Sequence, residues 1–317
     1  MSFRNSTDDG KVKLLIDFSN AVWRSYYATE QENLLNSEGI NVGFILGTVK
    51  LFNYAYGNCM ANHWGIPELI VCEDRAPIRK FKLYSKYQSA FKNLEPDKTW
   101  DKISSDKVRY KGNREKIDLN YKPTQIMEEF LSCLPHTRIY AEQEEADDVI
   151  ATYVNSNKEK TYIFSTDKDL WQLMVQPHIG IILDDGKEIT LENLQKKFLT
   201  TNWQKIPLFK TIKGDSSDNV RGVPRFQFKR NLEVYDKCDG SIKDYLLKIK
   251  SYSYKDYCKL LEYKELLKLN LNVVTLKTNI EYVTKKFTET NKEKWIELCN
   301  KYEVPSLIDD RILNNFL

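Results

Sequence analysis

The chain has 317 residues, of which 41% are apolar, so it can bury a substantial core in one large domain with an appendage or in two domains. Its six cysteines are scattered and accompanied by only three histidines, which argues against a zinc site or a disulfide framework. No apolar run approaches the roughly 20 residues that a membrane-spanning helix needs, and the polar start over 1–10 does not resemble a signal peptide. These features predict a reduced, cytoplasmic protein without membrane contact.

Apolar runs typical of strands alternate with helical patterns along the first two thirds of the chain. Val12 to Ile16 is β-rich, and Ser19 or Asn20 can cap the helix that follows. This alternation predicts an α/β fold with a mainly parallel central sheet flanked by helices. Further strands are predicted at Leu69–Cys72, around Ile139 and at Tyr162–Ser165, and helices over 44–56, 123–134 and 145–154.

Two later features complete the predicted organisation. Asp184-Asp185-Gly186 separates the short segments 181–183 and 188–190 and predicts a hairpin turn that closes the α/β part. Beyond about residue 202 the chain is rich in Lys, Leu and Tyr at helical spacing. The sequence therefore predicts an N-terminal α/β domain over 1–200 and a smaller helical domain over 201–317.

Acidic residues lie directly after the predicted strands and in one later loop. Because the carboxyl ends of parallel strands meet at one edge of a sheet, these carboxylates should share a cleft. Taken singly, each acid is equally well explained as a helix cap or a solvated turn residue. Together they would repel one another without a cation, and oxygen ligands suit Mg²⁺ or Mn²⁺. The candidates are Asp17, Asp74, Glu145, Asp147, Asp148, Asp167, Asp169, Asp215 and Asp218.

Basic residues are concentrated in one segment. Between Arg75 and Gln125 there are fourteen Lys or Arg and six Asp or Glu, a local charge of +8, so the rest of the chain carries −5. A basic segment beside an acidic cluster suggests a polyanionic substrate held against bound cations. Two cations about 4 Å apart can activate water and neutralise charge at a phosphoryl centre. The pattern therefore predicts hydrolysis of a phosphodiester.

Six short motifs are spread over the span from Asp17 to Val220, which is about two thirds of the chain. They are Ile16-Asp17-Phe18-Ser19, Val71-Cys72-Glu73-Asp74, Tyr110-Lys111-Gly112-Asn113-Arg114, Glu145-Ala146-Asp147-Asp148, Ser165-Thr166-Asp167-Lys168-Asp169 and Ile212-Lys213-Gly214-Asp215-Ser216-Ser217-Asp218-Asn219-Val220. In order and residue type they resemble the 5′-nuclease family, which includes flap endonucleases, the 5′ exonuclease domain of bacterial DNA polymerase I and phage 5′ exonucleases; the T-even phage ribonuclease H looks closest. The resemblance implies a PIN-like fold with a helical arch at about 75–122 and helix-turn-helix DNA binding in the C-terminal domain.

The resemblance also implies a metal site. Two Mg²⁺ ions, for which Mn²⁺ can substitute, would be held by the nine acids, and Asp74 and Asp167 would be essential for catalysis. The first metal would be surrounded by Asp17, Asp74, Glu145, Asp147 and Asp148, and the second by Asp167, Asp169, Asp215 and Asp218.

The base of the implied arch supplies candidate nucleic-acid contacts. Lys111 and Arg114, three apart on a presumed helix, match the family's phosphate-binding pair and would offset charge in the transition state. Tyr110 would stack on a base near the cut, with Arg79 and Lys80 as further contacts. The alternative is a solvated basic helix with the aromatic ring packed in the core.

The chain departs from the family pattern in two places. The spacing from Asp74 to Tyr110 exceeds the family's usual length, which indicates an insertion around 89–107, and Tyr87 competes for the role of Tyr110. After Gly222 the chain lacks the second glycine of a turn that binds the duplex backbone in the family. Nearby basic side chains would therefore bind the backbone by charge instead. A plain surface loop is the alternative. These basic residues are Arg221, Arg225, Lys229 and Arg230.

The resemblance implies a divalent-metal-dependent 5′-nuclease that cuts near the 5′ end of flap, nicked or primer-bearing duplexes, including RNA in RNA–DNA hybrids, during replication or repair. We expect a monomer, in the host cytoplasm if phage-encoded, that works with a single-strand-binding protein. Leu313, Phe316 and Leu317 resemble a sliding-clamp peptide, although a terminal helix packed on its own domain explains them better. The competing hypotheses are a non-cleaving protein of the same fold that binds branched nucleic acid, a PIN-type ribonuclease and a calcium-binding module.

Overall fold

The computed structural model describes residues 11–61, 66–85, 110–111 and 119–308. The strands are β1 (Lys11–Asp17), β2 (Ile66–Glu73), β3 (His136–Tyr140), β4 (Thr161–Phe164), β5 (Ile179–Ile182), β6 (Gly214–Asp215), β7 (Val220–Arg221) and β8 (Val283–Phe287). In the described residues six of them form one sheet in the order β5-β4-β1-β2-β3-β8, and β6 pairs with β7. Every neighbouring pair in the large sheet is parallel except β3 and β8. This confirms the predicted mainly parallel sheet.

The helices follow the strands in the predicted alternation. They are α1 (Phe18–Thr29), α2 (Gly43–Ala61), α3 (78–85), α4 (Pro123–Leu131), α5 (Ala146–Ser156), α6 (Leu191–Phe198), α7 (Ile206–Lys213), α8 (Leu232–Lys237), α9 (Ile242–Tyr252), α10 (Tyr254–Glu262), α11 (Lys264–Val274) and α12 (Lys292–Lys301). No helix within the described ranges combines the length and apolar content needed to cross a membrane.

The central strand β1 has apolar side chains on both faces, and both faces of the sheet are therefore covered. Leu14 and Ile16 point into one core, called the first core below, which also holds Phe44 of α2 and Phe130 of α4. Leu15 points into the opposite core, with residues of α5 and α6. Because side chains alternate along a strand, an unbroken apolar run can fill both layers. All three β1 side chains are fully buried.

A second group of helices, α7 to α11, has its own core around residues such as Leu208, Phe228 and Tyr245, which we call the second core. This confirms helical structure beyond residue 202. Packing nevertheless crosses the predicted boundary at residue 200, because β8 pairs with β3 of the main sheet. Trp295 of α12 also packs in the first core, with its ring centroid 5.2 Å from that of Phe130.

The predicted hairpin turn at Asp184-Asp185-Gly186 is confirmed. The backbone N–H of Leu183 donates to the Lys187 carbonyl at 2.9 Å, and Ile189 N–H donates to the Ile181 carbonyl at 2.9 Å. Gly186 has φ of 72°, a left-handed conformation that glycine adopts without steric cost. Much of the predicted arch, 86–109 and 112–118, lies outside the described residues.

Candidate metal centre

The first acids of the site sit where parallel strands end. Asp17 ends β1, and its carboxylate accepts from Asn20 N–H at 3.3 Å at the start of α1 and from the Ser165 hydroxyl at 2.8 Å. Asp74 follows β2, and its carboxylate accepts from Ala146 N–H at 2.8 Å at the start of α5. Both acids therefore cap helices, as the simpler interpretation proposed. The same positions also direct them towards one cleft.

Two groups of carboxylates lie within reach of a cation. One ligand oxygen each from Asp147, Asp167 and Asp169 lies within 4.8 Å of the others, and the same holds for Asp169, Asp215 and Asp218. Asp169 belongs to both groups, so the two groups adjoin. We call them the 147–167–169 cluster and the 169–215–218 cluster. Clustered carboxylate oxygens are the donor set that Mg²⁺ and Mn²⁺ prefer, so these residues fit the implied metals.

Negative charge at Asp17 and Asp147 is poorly neutralised. Burial raises the pKa of Asp17 to about 7, and repulsion from Asp74 and Asp167 adds to the shift. Burial likewise raises the pKa of Asp147 well above its ordinary value, reinforced by Asp167 and Asp17. Carboxylates held in this way bind a proton or a cation in preference to remaining charged alone. A divalent cation would relieve the same repulsion.

Glu145 and Asp148 differ from Asp17 and Asp147 because lysine and arginine side chains neutralise them. Burial would raise the pKa of Glu145, but the charges of Lys80 and Lys111 outweigh it and lower the value to about 2. Asp148 is fully buried and accepts from Arg79 at 2.8 Å and from Lys277 N–H at 2.7 Å. Its predicted role as a metal ligand does not fit this arrangement, because both of its oxygens already hold structural partners.

Arg79 and Lys80 were predicted as nucleic-acid contacts, and the structure corrects both. Lys80 is 2% exposed, and its ammonium lies 2.5 Å from Glu145 and 3.3 Å from Asp148. Arg79 pairs with Glu144 at 2.7 Å and with Asp148 at 2.8 Å. The sequence placed them in a basic segment, but α3 turns these two side chains inwards against α5.

The Tyr110–Lys111 turn also differs from prediction. Tyr110 is 1% exposed, and its hydroxyl lies 3.0 Å from both Glu145 and Asp218. Its ring is packed in the second core, as the alternative interpretation held, so it is not available for stacking on a base in this conformation. Lys111 has φ of 54°, which is left-handed rather than helical, and its ammonium contacts Glu145. Arg114 and Tyr87 lie outside the described residues.

Lys210 is a functional candidate that the sequence did not indicate. Lys210 is 6% exposed on α7, and its ammonium contacts Asp169 and lies 2.6 Å from Asp215. The available signal was a lysine on the buried face of an apolar helix, since Ile206, one turn earlier, is also buried. Burial would raise the pKa of Asp215, but Lys210 outweighs it and lowers the value.

The basic loop after β7 projects its charges to solvent. Buried Val223, Phe226 and Phe228 anchor the loop in the second core. Arg225 has φ of 56°, so this residue holds a left-handed conformation that normally favours glycine. Of the predicted duplex contacts, Arg225, Lys229 and Arg230 are exposed and Arg221 is half-buried.

Solved structures share this architecture. The zinc-bound T5 5′-exonuclease aligns with a TM-score of 0.57 and 14% identity, covering 96% of this chain and all of that one. Flap endonuclease-1 from Methanococcus jannaschii aligns with a TM-score of 0.57 and 16% identity, covering 97% of this chain and 91% of that one. The fold is therefore the PIN-like α/β fold of these proteins.

Sequence comparison then identifies the family. Residues 12–199 match the family model described as 5′-3′ exonuclease, N-terminal resolvase-like domain, and the chain belongs to that family. DNA polymerase I of Borreliella burgdorferi is 26% identical over 308 residues, which are 93% of this chain and 30% of that protein. The 5′-3′ exonuclease of Buchnera aphidicola is 28% identical over 245 residues, 75% of each chain. The chain thus spans less than a third of the polymerase relative, and a special likeness to T-even ribonuclease H stays a prediction.

Proposed function

We propose that the protein is a divalent-metal-dependent 5′-nuclease that hydrolyses phosphodiester bonds near the 5′ end of flap, nicked or primer-bearing duplexes. The observation that carries this proposal is the pair of adjoining carboxylate clusters that share Asp169 at one edge of the sheet. Membership of the 5′-3′ exonuclease family supports it. A T5 D15 flap endonuclease with the same fold, at a TM-score of 0.52, was solved in complex with DNA and metal ions.

Two Mg²⁺ ions, for which Mn²⁺ can substitute, are the proposed cofactors. The 147–167–169 cluster, with Asp17 and Asp74 beside it, would hold the first, and the 169–215–218 cluster the second. Bound there, such ions would activate water and offset charge on the phosphoryl group. Lys111 and Arg114 are proposed to orient the scissile phosphate, and the exposed Arg225, Lys229 and Arg230 to hold the duplex backbone.

The same arrangement supports a finer proposal about the substrate. A duplex held by backbone charge is compatible with DNA and with RNA paired to DNA, so cleavage of RNA in hybrids is part of the proposal. Action in replication or repair, as a monomer beside a single-strand-binding protein, is proposed with it. The sliding-clamp peptide falls on residues outside the described ranges.

Replacing Asp167 or Asp74 by Asn tests the proposal. We expect turnover of a labelled 5′-flap duplex to fall by about a thousandfold or more, because each change removes a carboxylate from the cation site. Binding of the duplex should persist, since the basic loop is untouched. Asp185→Asn, in an exposed turn, is the matched control and should cleave normally.

The outcomes separate the competing functions. If wild type binds the flap but never cuts it with Mg²⁺ or Mn²⁺, the non-cleaving alternative replaces this proposal. Full activity in Asp167→Asn would also reject it. A panel of flap, nicked and RNA–DNA hybrid substrates then ranks the substrate classes.

A further inference from the structure

Helix α10 carries an apolar face that is exposed to solvent. Its buried residue Leu260 anchors the helix in the second core. Another side holds Tyr254, Tyr257, Cys258 and Leu261, which we call the α10 stripe; steps of three, four and seven residues place them on one helix face. Tyr254 is 66% and Leu261 39% exposed, Cys258 is exposed, and Tyr257 is half-buried. The stripe is therefore accessible to a binding partner.

Aromatic rings and ammonium groups lie side by side on this surface. The ring centroids of Tyr254 and Tyr257 are 5.9 Å apart, and the ammonium of Lys250 on α9 lies 5.6 Å from the centroid of the Tyr257 ring. Lys250 and Lys255 are exposed, and neither forms an ion pair with another residue that the structure describes. Both lysines thus keep their charge available to a negatively charged partner.

This combination favours an unpaired nucleic-acid strand as the partner. Lysine is depleted in protein–protein interfaces. Helices α9 and α10 together carry five lysines and three acids, a net charge of +2, so a second copy of the chain would bring like charges together. Surfaces that bind single strands combine aromatic rings, on which bases stack, with cationic side chains for the phosphates. In a duplex the bases already stack on one another, so only an unpaired strand uses both features.

The α10 stripe adjoins the basic loop that is proposed to hold the duplex backbone. The side-chain amide of Asn231, next to Arg230 in the chain, donates to Asp256 in the first turn of α10 at 3.0 Å. The Phe228 ring stacks on Tyr245 of α9, with centroids 6.1 Å apart. A strand that leaves a duplex held by this loop therefore has α10 as a neighbour.

We propose that the α10 stripe, with Lys250 and Lys255, binds an unpaired nucleic-acid strand. Tyr254 and Tyr257 stack on bases, and the two ammonium groups contact phosphates. The inference rests on the proposed function only for the neighbouring duplex contact, because binding at the stripe needs neither a metal ion nor cleavage.

The first test is binding of a fluorescein-labelled oligothymidylate of about twelve nucleotides to the full chain in EDTA, measured by fluorescence anisotropy. Tyr254→Ala should weaken binding by about tenfold, the size expected for the loss of one stacked base. Tyr254→Phe keeps the ring and should bind as wild type. Tyr54→Ala removes an exposed tyrosine from α2 and is the matched control. Affinity for a blunt duplex should be the same in all of them, and unchanged strand affinity in Tyr254→Ala would overturn the inference.

Cys258 reports on the same surface. The other five cysteines are buried, so a maleimide should label Cys258 first, and Cys258→Ser controls for labelling elsewhere. Saturating oligothymidylate should slow this labelling several-fold, whereas a blunt duplex should not. Lys255→Met should also lower the slope of log affinity against log salt concentration by about 0.7 for the single strand.

Unchanged labelling of Cys258 with the strand bound would place the strand elsewhere and overturn the inference, as would an unchanged salt slope in Lys255→Met. A protein partner at the stripe predicts both of these results. All these measurements are made without Mg²⁺, so their failure leaves the proposed function intact. Failure of wild type to cut a flap duplex with Mg²⁺ would instead reject the proposed function and leave strand binding at α10 standing.

Discussion

At the scale of single residues, the acids of this site have two tasks. Asp17 and Asp74 cap helices, and the same carboxylates face the cleft. Asp148 has only the structural task, because it fixes Arg79 and the backbone of Lys277. A sequence pattern of acids after strands identifies all of these positions but does not separate ligands from structural anchors. The separation depends on which basic side chains reach each acid.

Lys80 gives a residue-scale prediction. Burial would lower the pKa of this ammonium, but Glu145 and Asp148 outweigh it and raise the value. Lys80→Met leaves two buried carboxylates without their shared partner, so we expect the free energy of unfolding to fall by about 3–5 kcal/mol. Urea unfolding in the presence of EDTA measures it. Lys82→Met, on the exposed side of α3, is the control; equal stability of the two variants would contradict the assignment.

The sequence predicted the acids of the centre but not Lys80 or Lys210 as their partners. Strand-end acids are visible because a parallel sheet gathers its carboxyl ends at one edge. The partner lysines come from α3 and α7, 65 residues before Glu145 and 41 residues after Asp169 along the chain. Which lysine turns inwards depends on packing between distant elements, which periodicity alone does not specify. The burial of Tyr110 escaped prediction for the same reason.

At the scale of elements, apolar strands were predictable and the polar edge strand was not. Strand β1 carries three consecutive buried apolar residues, Leu14, Leu15 and Ile16, because both faces of the central sheet are covered. Strand β8, Val-Thr-Lys-Lys-Phe, is largely exposed at the sheet edge, so burial imposes no alternating pattern on it. Lysines on an edge strand also discourage pairing with other chains. The segment was consequently assigned to a helical domain.

The β3–β8 pair carries a pH-dependent contact. His136 stacks on Phe287 with ring centroids 4.5 Å apart. Burial lowers the pKa of His136, and Arg138 adds to this, although the Leu134 carbonyl opposes it. The unfolded chain therefore binds more protons below about pH 6.5, and stability falls as pH decreases through this range.

Replacing His136 by Gln should remove this pH dependence. We expect the wild type to lose more unfolding free energy than His136→Gln as the pH falls from about 7 to 5, because only the wild type must bury a neutral imidazole. Thermal or urea unfolding at several pH values measures the difference. His178→Gln controls for the loss of a histidine. Parallel pH profiles for wild type and His136→Gln would contradict the assignment.

At the scale of the whole molecule, the helical part is held together beside the metal centre and joined there to the α/β core. The Asn270 amide on α11 donates to the Thr211 carbonyl at 2.8 Å and to the Arg221 carbonyl at 2.7 Å. It thereby fixes α7, which carries Lys210, against the β6–β7 hairpin that carries Asp215. The chain after α11 then returns to the main sheet through Lys277, held by Asp148. The helical part is thus inserted between portions of the α/β core.

Because β8 and α12 pack on the α/β core, we predict that residues 1–200 do not fold as an independent domain. Without β8 and α12, the first core loses Trp295, whose ring packs against Phe130 and whose indole N–H donates to the Leu307 carbonyl at 2.8 Å. We expect the 1–200 fragment to show helical far-UV circular dichroism but a broad, non-cooperative unfolding transition. In the full chain, Trp295→Ala should cost about 3–5 kcal/mol for the same reason. A sharp two-state transition in the fragment would restore the boundary predicted from sequence, since the α/β core would then be complete without its C-terminal strand and helix.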